Sequence, residues 1–329
     1  MLRRATAHKT TSTMDDQGRS DSMTILYAGD ADEADQWLNA VREIDPGLNF
    51  RCWPETGPTD EVDFIIVGGG LRGEFPPFPA LRGIQSTWAG VNHLMQSASL
   101  PAGVPVARMV DDGLTCSMTE YLVFQVLDHF RQGPLLRQAQ GEQRWLEGLQ
   151  ARRGTVGIMG LGALGLDAAR QFTALGLSLR GWSRTPKTVP DVTCFAGAEQ
   201  LPDFLAGCDL LICLLPLTPE TRGILSGALL AQLPQGAALI NAARGPHLVD
   251  EDLIAALDSN HLSRAVLDVF HTEPLPTDHP FWRHPRITVT PHIAAITRAG
   301  TGAALIVENY RRALAGQELV NQVDRQRGY

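Results

Sequence analysis

Three polar side chains stand where β-rich runs of this chain end. Arg244 closes AALINAARG before a glycine turn, Glu273 lies just past the run AVLDVF, and His292 follows Pro291 in ITVTPHIAA. In open α/β sheets the strand ends are where ligand-binding groups collect. A guanidinium offers a planar fork of donors to a carboxylate and its neighbouring ketone. An imidazole is suited to giving up a proton near neutral pH, and a carboxylate beside it orients the ring and favours its charged form. Together they are what hydride transfer onto a 2-oxo acid requires. Taken singly, Arg244 also reads as a turn residue and His292 as a hydrogen-bonded loop residue. Their joint position downstream of a nucleotide site makes them candidates.

That nucleotide site is the stretch GLGALG, with Gly160, Gly162 and Gly165 set between the buried-strand pattern TVGIM and the amphipathic LDAARQF. Gly160 suits a tight turn, Gly162 lets a pyrophosphate approach the backbone, and Gly165 lets helix and strand pack closely. Backbone N–H groups at the helix start, where Ala163 and Leu164 stand, then hold the anion. The next strand ends in GWSRTPK. About 20 residues past the glycines an NAD-binding chain carries an acid for the ribose 2′-hydroxyl, yet here the sequence has Ser183, Arg184 and, a turn later, Lys187. One hydroxyl and two cations suit a 2′-phosphate, so the expected cofactor is NADPH, with NADH weaker.

These motifs sit on strands alternating with helices, which predicts largely parallel sheets. TILYAG, LNFRCW, VDFIIVGGG, GIQSTW and VPVARMV form a first α/β series, with a helix over ADEADQWLNAVREI. A mostly helical connector spans 118–145, and its apolar breadth predicts a homodimer contact. TVGIMG, LSLRGWS, DLLICLLP, AALINAAR, AVLDVF and ITVTPH form a second series, followed by a last helix near 297–317. The expected fold is therefore α/β with two Rossmann-like domains, a flavodoxin-like substrate domain over 23–117 plus 298–329 and a dinucleotide domain over 118–297, with a cleft between. Residues 1–22 are polar and aperiodic and read as a disordered tail, with Met23 as the functional start.

Composition narrows the class further. A chain of 329 residues with 44% hydrophobic and 19% charged residues suits a two-domain globular enzyme. With 36 acidic against 28 basic residues it lacks the basic balance of a nucleic-acid binder. No run reaches the roughly 18 apolar residues of a membrane span, and no apolar leader precedes Met23. The five cysteines are dispersed, without a CxxC pair, which suits reduced thiols in a reducing, cytoplasmic setting. No HExxH or similar ligand spacing occurs, so no metal is expected.

The succession VGIMGLGALG, LLPLTPETRGIL, LINAARGPHLVDEDLIAAL, LDVFHTEPLP and ITVTPHIAAIT resembles the D-isomer-specific 2-hydroxyacid dehydrogenases, from about Met23 to Tyr329. HPFWRHPRITVTPHIAAIT and QVDRQRGY look like the NADPH-preferring glyoxylate/hydroxypyruvate reductases within that family. The resemblance implies Arg244, Glu273 and His292 as the catalytic set. It also implies cofactor contacts from Leu215, Pro216, Leu217, Ala242, Ala243, Asp268 (to the nicotinamide amide) and Thr119. For the substrate it implies Gly69 and Gly70 in VGGGLRG, with Trp88 lining the pocket. VGGGLRG is more glycine-rich than this subgroup's loop, and residues 1–22 have no counterpart. Formate-oxidising relatives carry Gln where this chain has Glu273, which argues against formate.

The activity so implied is reduction of glyoxylate to glycolate and of hydroxypyruvate to D-glycerate. A bulkier 2-oxo acid is the alternative substrate. A dinucleotide-sensing, corepressor-like binding protein is the alternative from another class. Phosphoglycerate oxidation fits less well, because the length holds no added regulatory domain.

Overall fold

The structure, a computed structural model, describes residues 24–69 and 75–329. The tail over 1–22, Met23 and the candidate substrate residue Gly70 lie outside the described residues. The chain divides into two compact units, one containing residues up to Met109 together with Ala299–Asp324, the other Val110–Arg298 with Arg325–Tyr329.

In the first unit, β1 (Thr24–Ala28), β2 (Asn49–Cys52), β3 (Val62–Val67), β4 (Gly83–Ser86) and β5 (Val106–Ala107) form one sheet in the order β2-β1-β3-β4-β5. Its neighbouring strands all pair in parallel. Side chains alternate across a strand, and the sheet has a core on each face. Ile25, Tyr27, Phe64 and Ile66 pack on one side, with α1 (Ala31–Ile44) and α9 (Ala299–Leu314) supplying Trp37, Val41, Ile306 and Tyr310. Leu26, Ile65, Val67 and Ile84 pack on the other. The short α2 (Asn92–Met95) adds Leu94 to that second face. The returning helix α9 is also tied by a polar contact: buried Asn309 Nδ2 donates to Gln85 Oε1 on β4 at 2.7 Å.

In the second unit, the strands are β6 (Thr155–Met159), β7 (Ser178–Ser183), β8 (Val192–Ala196), β9 (Leu210–Cys213), β10 (Ala237–Asn241), β11 (Leu262–Leu267) and β12 (Ile287–Val289). They form a parallel sheet in the order β12-β11-β10-β9-β6-β7-β8. The direction of chain winding reverses at β6, the strand that leads into the glycine turn, and a reversal of this kind opens a crevice at the carboxyl ends of the strands. The helices are α3 (Asp112–Phe130), α4 (Gly133–Gly141), α5 (Ala163–Ala174), α6 (Leu201–Leu205), α7 (Gly227–Leu230) and α8 (Asp250–Asp258). The expectation of two α/β units with parallel sheets is met.

Three local expectations are corrected. The mostly helical connector starts before residue 118 and consists of two helices. It begins at Asp112, capped by the Asp111 carboxylate accepting from Leu114 N, and it breaks at Gln132, whose φ is 59°. Gly133 packs closely just past the break, where a Cβ would lie 1.8 Å from Asp128 Oδ1. The second correction is strand β8, VTCFA, absent from the sequence reading. It is an edge strand of only partial burial, so it lacks the apolar run that marked the others. The third is α9, which ends at Leu314 rather than near residue 317, with Gly316 at φ 66° terminating it.

Candidate active site

The glycine turn has the steric character its sequence required. Gly160 has φ 109°, a conformation that L side chains rarely adopt, and a Cβ there would meet Leu214 O at 2.7 Å. A Cβ on Gly165 would stand 2.0 Å from Gly160 O, so this residue permits the helix to start against the strand. Gly162 differs: nothing lies within 4 Å of where its Cβ would be. It is the N-cap of α5, and the first turn's N–H groups, on Ala163, Leu164 and Gly165, have no partner within the helix. An open cradle at a helix N-terminus fits the pyrophosphate of a dinucleotide.

GWSRTPK ends β7 beside that turn. Lys187 Nζ donates to Leu161 O at 2.6 Å, which places its cation over the glycine loop. The Ser183 hydroxyl is buried and donates to Thr185 O at 2.8 Å. Arg184 is exposed, with its guanidinium 5.7 Å from the Tyr329 ring centroid. Two of the three residues therefore hold local backbone, and the guanidinium stands against a ring.

Leu215, Ala242 and Ala243, expected beside the cofactor, are buried in loops that follow β9 and β10. Pro216 and Leu217 continue the first of these. Two residues that sequence reasoning missed hold the loops in shape. Buried Asn241 accepts from Ala243 N at 3.2 Å and donates to Arg244 O at 3.2 Å. His247, fully buried, contacts Arg244 O through Nδ1 at 3.1 Å and Pro216 O through Nε2 at 3.2 Å. It thus links the turn bearing Arg244 to the loop after β9. The available signal was a polar residue ending an otherwise apolar strand, LIN.

Two of the three candidate catalytic residues, Glu273 and His292, touch within the second unit, while the Arg244 guanidinium donates to Ala243 O at 2.5 Å and reaches Glu273 only through its charge. Gly245 packs its α-carbon against the Phe270–His271 peptide, where a Cβ would lie 1.9 Å from the Phe270 carbonyl carbon. This brings the Arg244 turn against the segment carrying Glu273. Glu273 Oε1 accepts from Phe270 N at 2.8 Å, and Oε2 contacts His292 Nδ1 at 2.7 Å. A carboxylate only accepts, so Nδ1 carries the proton and Nε2 is the ring nitrogen left for a reacting group. His292 has φ 54°, an uncommon conformation for a residue other than glycine, in the turn after β12.

The electrostatics agree with the contacts. Burial alone would raise Glu273, but the hydrogen bonds from His292 and Phe270 N, with the charges of His292 and Arg244, bring its carboxyl below the ordinary value. Burial lowers Arg244 from its usual value, and the charge of Glu273 works in the opposite direction.

Asp268 is almost fully buried, and its carboxylate shapes the His292 turn. Oδ1 accepts from Thr290 Oγ1 at 2.6 Å and Ile293 N at 3.0 Å, while Oδ2 accepts from Ala294 N at 2.9 Å. A carboxylate has about four acceptor sites, so one remains on Oδ2. Thr119 is buried and donates to Asp167 Oδ2 at 2.5 Å, pinning α3 to α5.

Gly69 and Trp88 follow β3 and β4 in the first unit and are neighbours there. Gly69 has φ 71°, and a Cβ on it would lie 3.6 Å from Asp30 Oδ2 and 4.0 Å from the Trp88 ring. The remaining histidines of the Glu273 segment have structural partners: His271 and His279 both approach Asp250, each at 3.5 Å.

The five cysteines are free, and burial pushes the Cys208 and Cys213 thiols up to about 12. Among the described residues no group of His, Cys, Asp or Glu could hold a metal ion, and no helix is long and apolar enough to cross a membrane.

A parallel sheet leading into a glycine-cradled helix, with an Arg and a Glu–His pair at its strand ends, defines a dinucleotide-dependent dehydrogenase. Residues 123–294 match the family described as D-isomer specific 2-hydroxyacid dehydrogenase, NAD binding domain, and the chain belongs to that family. It is 41% identical over 314 residues to glyoxylate/hydroxypyruvate reductase A of Yersinia enterocolitica, covering 93% of this chain and 100% of the relative. A D-isomer specific 2-hydroxyacid dehydrogenase from Xanthobacter autotrophicus Py2, in complex with NADPH and MES, matches with a TM-score of 0.87 and 41% identity, over 94% of this chain and 100% of that one. The NADPH-dependent glyoxylate/hydroxypyruvate reductase of Sinorhizobium meliloti, in complex with NADP and sulfate, matches at 0.84 and 33% identity, over 93% and 100%.

Proposed function

We propose that this chain is an NADPH-dependent reductase of small 2-oxo acids, converting glyoxylate to glycolate and hydroxypyruvate to D-glycerate. The observation that carries the reading is the His292–Glu273 pair at 2.7 Å, on the segment against which the Arg244 turn packs. The names of the relatives support the substrate pair, and the solved NADPH and NADP complexes support the cofactor.

In this reading the N-terminus of α5 binds the pyrophosphate, and Ser183, Arg184 and Lys187 select the 2′-phosphate. Loops 215–217 and 242–243, with Thr119, line the cofactor site, and the remaining acceptor site of Asp268 takes the nicotinamide amide. The bound reduced nicotinamide supplies a hydride. Arg244 holds the substrate carboxylate and draws charge toward the ketone oxygen. His292 gives its Nε2 proton to that oxygen, and Glu273 stabilises the imidazolium beforehand. Gly69 and Trp88, neighbours in the first unit, are the residues that the resemblance assigns to the substrate.

The working form is a homodimer. Phe124 on α3, Leu135 and Leu136 on α4, and Trp145 and Leu149 beyond it are exposed apolar groups, with Trp145 86% accessible. Exposed apolar groups of this size, close in sequence, support a partner surface here. The free thiols favour the cytoplasm.

The test is loss of reduced-nicotinamide absorbance with each 2-oxo acid, comparing NADPH and NADH. Fast NADPH oxidation with glyoxylate and hydroxypyruvate is expected. Higher kcat/KM with a branched or aromatic 2-oxo acid would overturn the substrate assignment.

A further inference from the structure

Arg184 carries the proposed 2′-phosphate contact, and one aromatic ring stands over it. The guanidinium carbon is 5.7 Å from the centroid of Tyr329, within the range of a cation–π contact. Tyr329 is half-buried although Arg325, Gln326 and Arg327 before it are exposed. The chain from Ala299 to Asp324 belongs to the first compact unit, whereas Arg325–Tyr329 groups with the second, the one containing the glycine turn. The segment therefore leaves its own helix to rest a ring on the cofactor unit. Among the described residues no carboxylate pairs with Arg184. Glu220, in the turn after β9, feels its charge only as the weakest of the influences that lower it, behind the Thr218 hydroxyl. Arg184 is thus a cation with one face covered and its edge donors uncommitted.

We infer that Tyr329 is a specificity residue for NADPH: its ring holds the Arg184 guanidinium in the orientation that receives the 2′-phosphate. This rests on the reading of Arg184 given above. An exposed arginine samples many rotamers, and much of its binding energy is lost in ordering them. A ring against one face restricts those rotamers. It leaves the in-plane N–H fork, the part that recognises phosphate oxygens, free at the edge. NADH has a hydroxyl in place of that phosphate and gains little from the arrangement, so the ring's effect is selective.

The test is direct binding, read by fluorescence of the reduced nicotinamide on titrating the full chain with NADPH and with NADH. Tyr329→Ala is expected to raise the Kd for NADPH about two- to fivefold, with the Kd for NADH changed less than about 1.5-fold. Tyr329→Phe retains the ring and should bind as the parent does. In an Arg184→Ala background, Tyr329→Ala should add nothing. If Arg184→Ala weakens NADPH selectively but Tyr329→Ala leaves NADPH unchanged, or weakens both cofactors equally, the role of Tyr329 is overturned and that of Arg184 stands. If Arg184→Ala itself does not discriminate between the cofactors, the phosphate reading falls and takes this inference with it.

Discussion

His292 Nδ1 and Glu273 Oε2 lie 2.7 Å apart although a strand and two turns separate the residues in sequence. The contact consumes one ring nitrogen and leaves Nε2 as the proton donor. His292→Ala should therefore lower kcat by about 10²–10⁴-fold, the usual worth of a positioned acid. The Kd for NADPH should stay within about twofold. Retention of kcat near the parent value would transfer the proton-donor role to another group.

Glu273→Gln keeps an acceptor for the imidazole and loses its charge. The carboxyl is held below its ordinary value, so in the parent it stays ionised as pH falls through the normal carboxylate range. Stability from this group is present above the unfolded value and is lost only as pH falls through the lowered folded one. The Gln variant should lack this acid dependence of stability, and its kcat/KM profile should lie below the parent's because the ring has lost its ionised partner. Superimposable profiles would show that the charge does nothing.

Gly245→Ala tests the packing that joins the Arg244 turn to the Glu273 segment. A Cβ 1.9 Å from the Phe270 carbonyl carbon cannot be accommodated without moving backbone. We expect a loss of about 2–3 kcal/mol in stability, typical of an overpacked site. A kcat/KM deficit should also persist at temperatures where the variant is fully folded. Chemical denaturation and steady-state kinetics report the two effects separately, and a parent-like variant would refute the close approach.

Arg244→Lys preserves the charge and removes the fork. Bidentate sites do not tolerate this exchange, so KM for glyoxylate should rise at least about tenfold with kcat also reduced. Unchanged KM would mean that Arg244 does not hold the substrate.

His129 makes acid stability testable away from the site. Burial first, then the charges of Arg264 and Arg152, push its pKa down from 6.5 to about 4. Between those values the unfolded chain binds a proton that the folded chain refuses, so stability falls as pH falls through that window. The loss is of order 3 kcal/mol at most, from the usual 1.36 kcal/mol per pKa unit. Urea unfolding near pH 7 and pH 4.5 should show a smaller loss in His129→Gln than in the parent. Equal losses would assign the acid sensitivity elsewhere.

The sequence by itself determined what local chemistry and periodicity can encode. Apolar runs marked eleven of the twelve strands among the described residues, and the one that escaped, β8, is a partly exposed edge strand whose VTCFA carries no continuous apolar run. The glycines of GLGALG named their own turn because φ and close approach are properties of single residues. Arg244, Glu273 and His292 were legible as residue types at strand ends.

Tertiary structure decided which of these groups meet. That His292 finds Glu273, that Asp268 spends three of its acceptor sites on Thr290, Ile293 and Ala294, and that His247 bridges Arg244 and Pro216 are contacts between separate strand-end loops. Parallel strands place the ends of distant segments side by side. Sequence periodicity carries no record of which loops become neighbours, so the partners of a buried polar group emerge only once the sheet order is set.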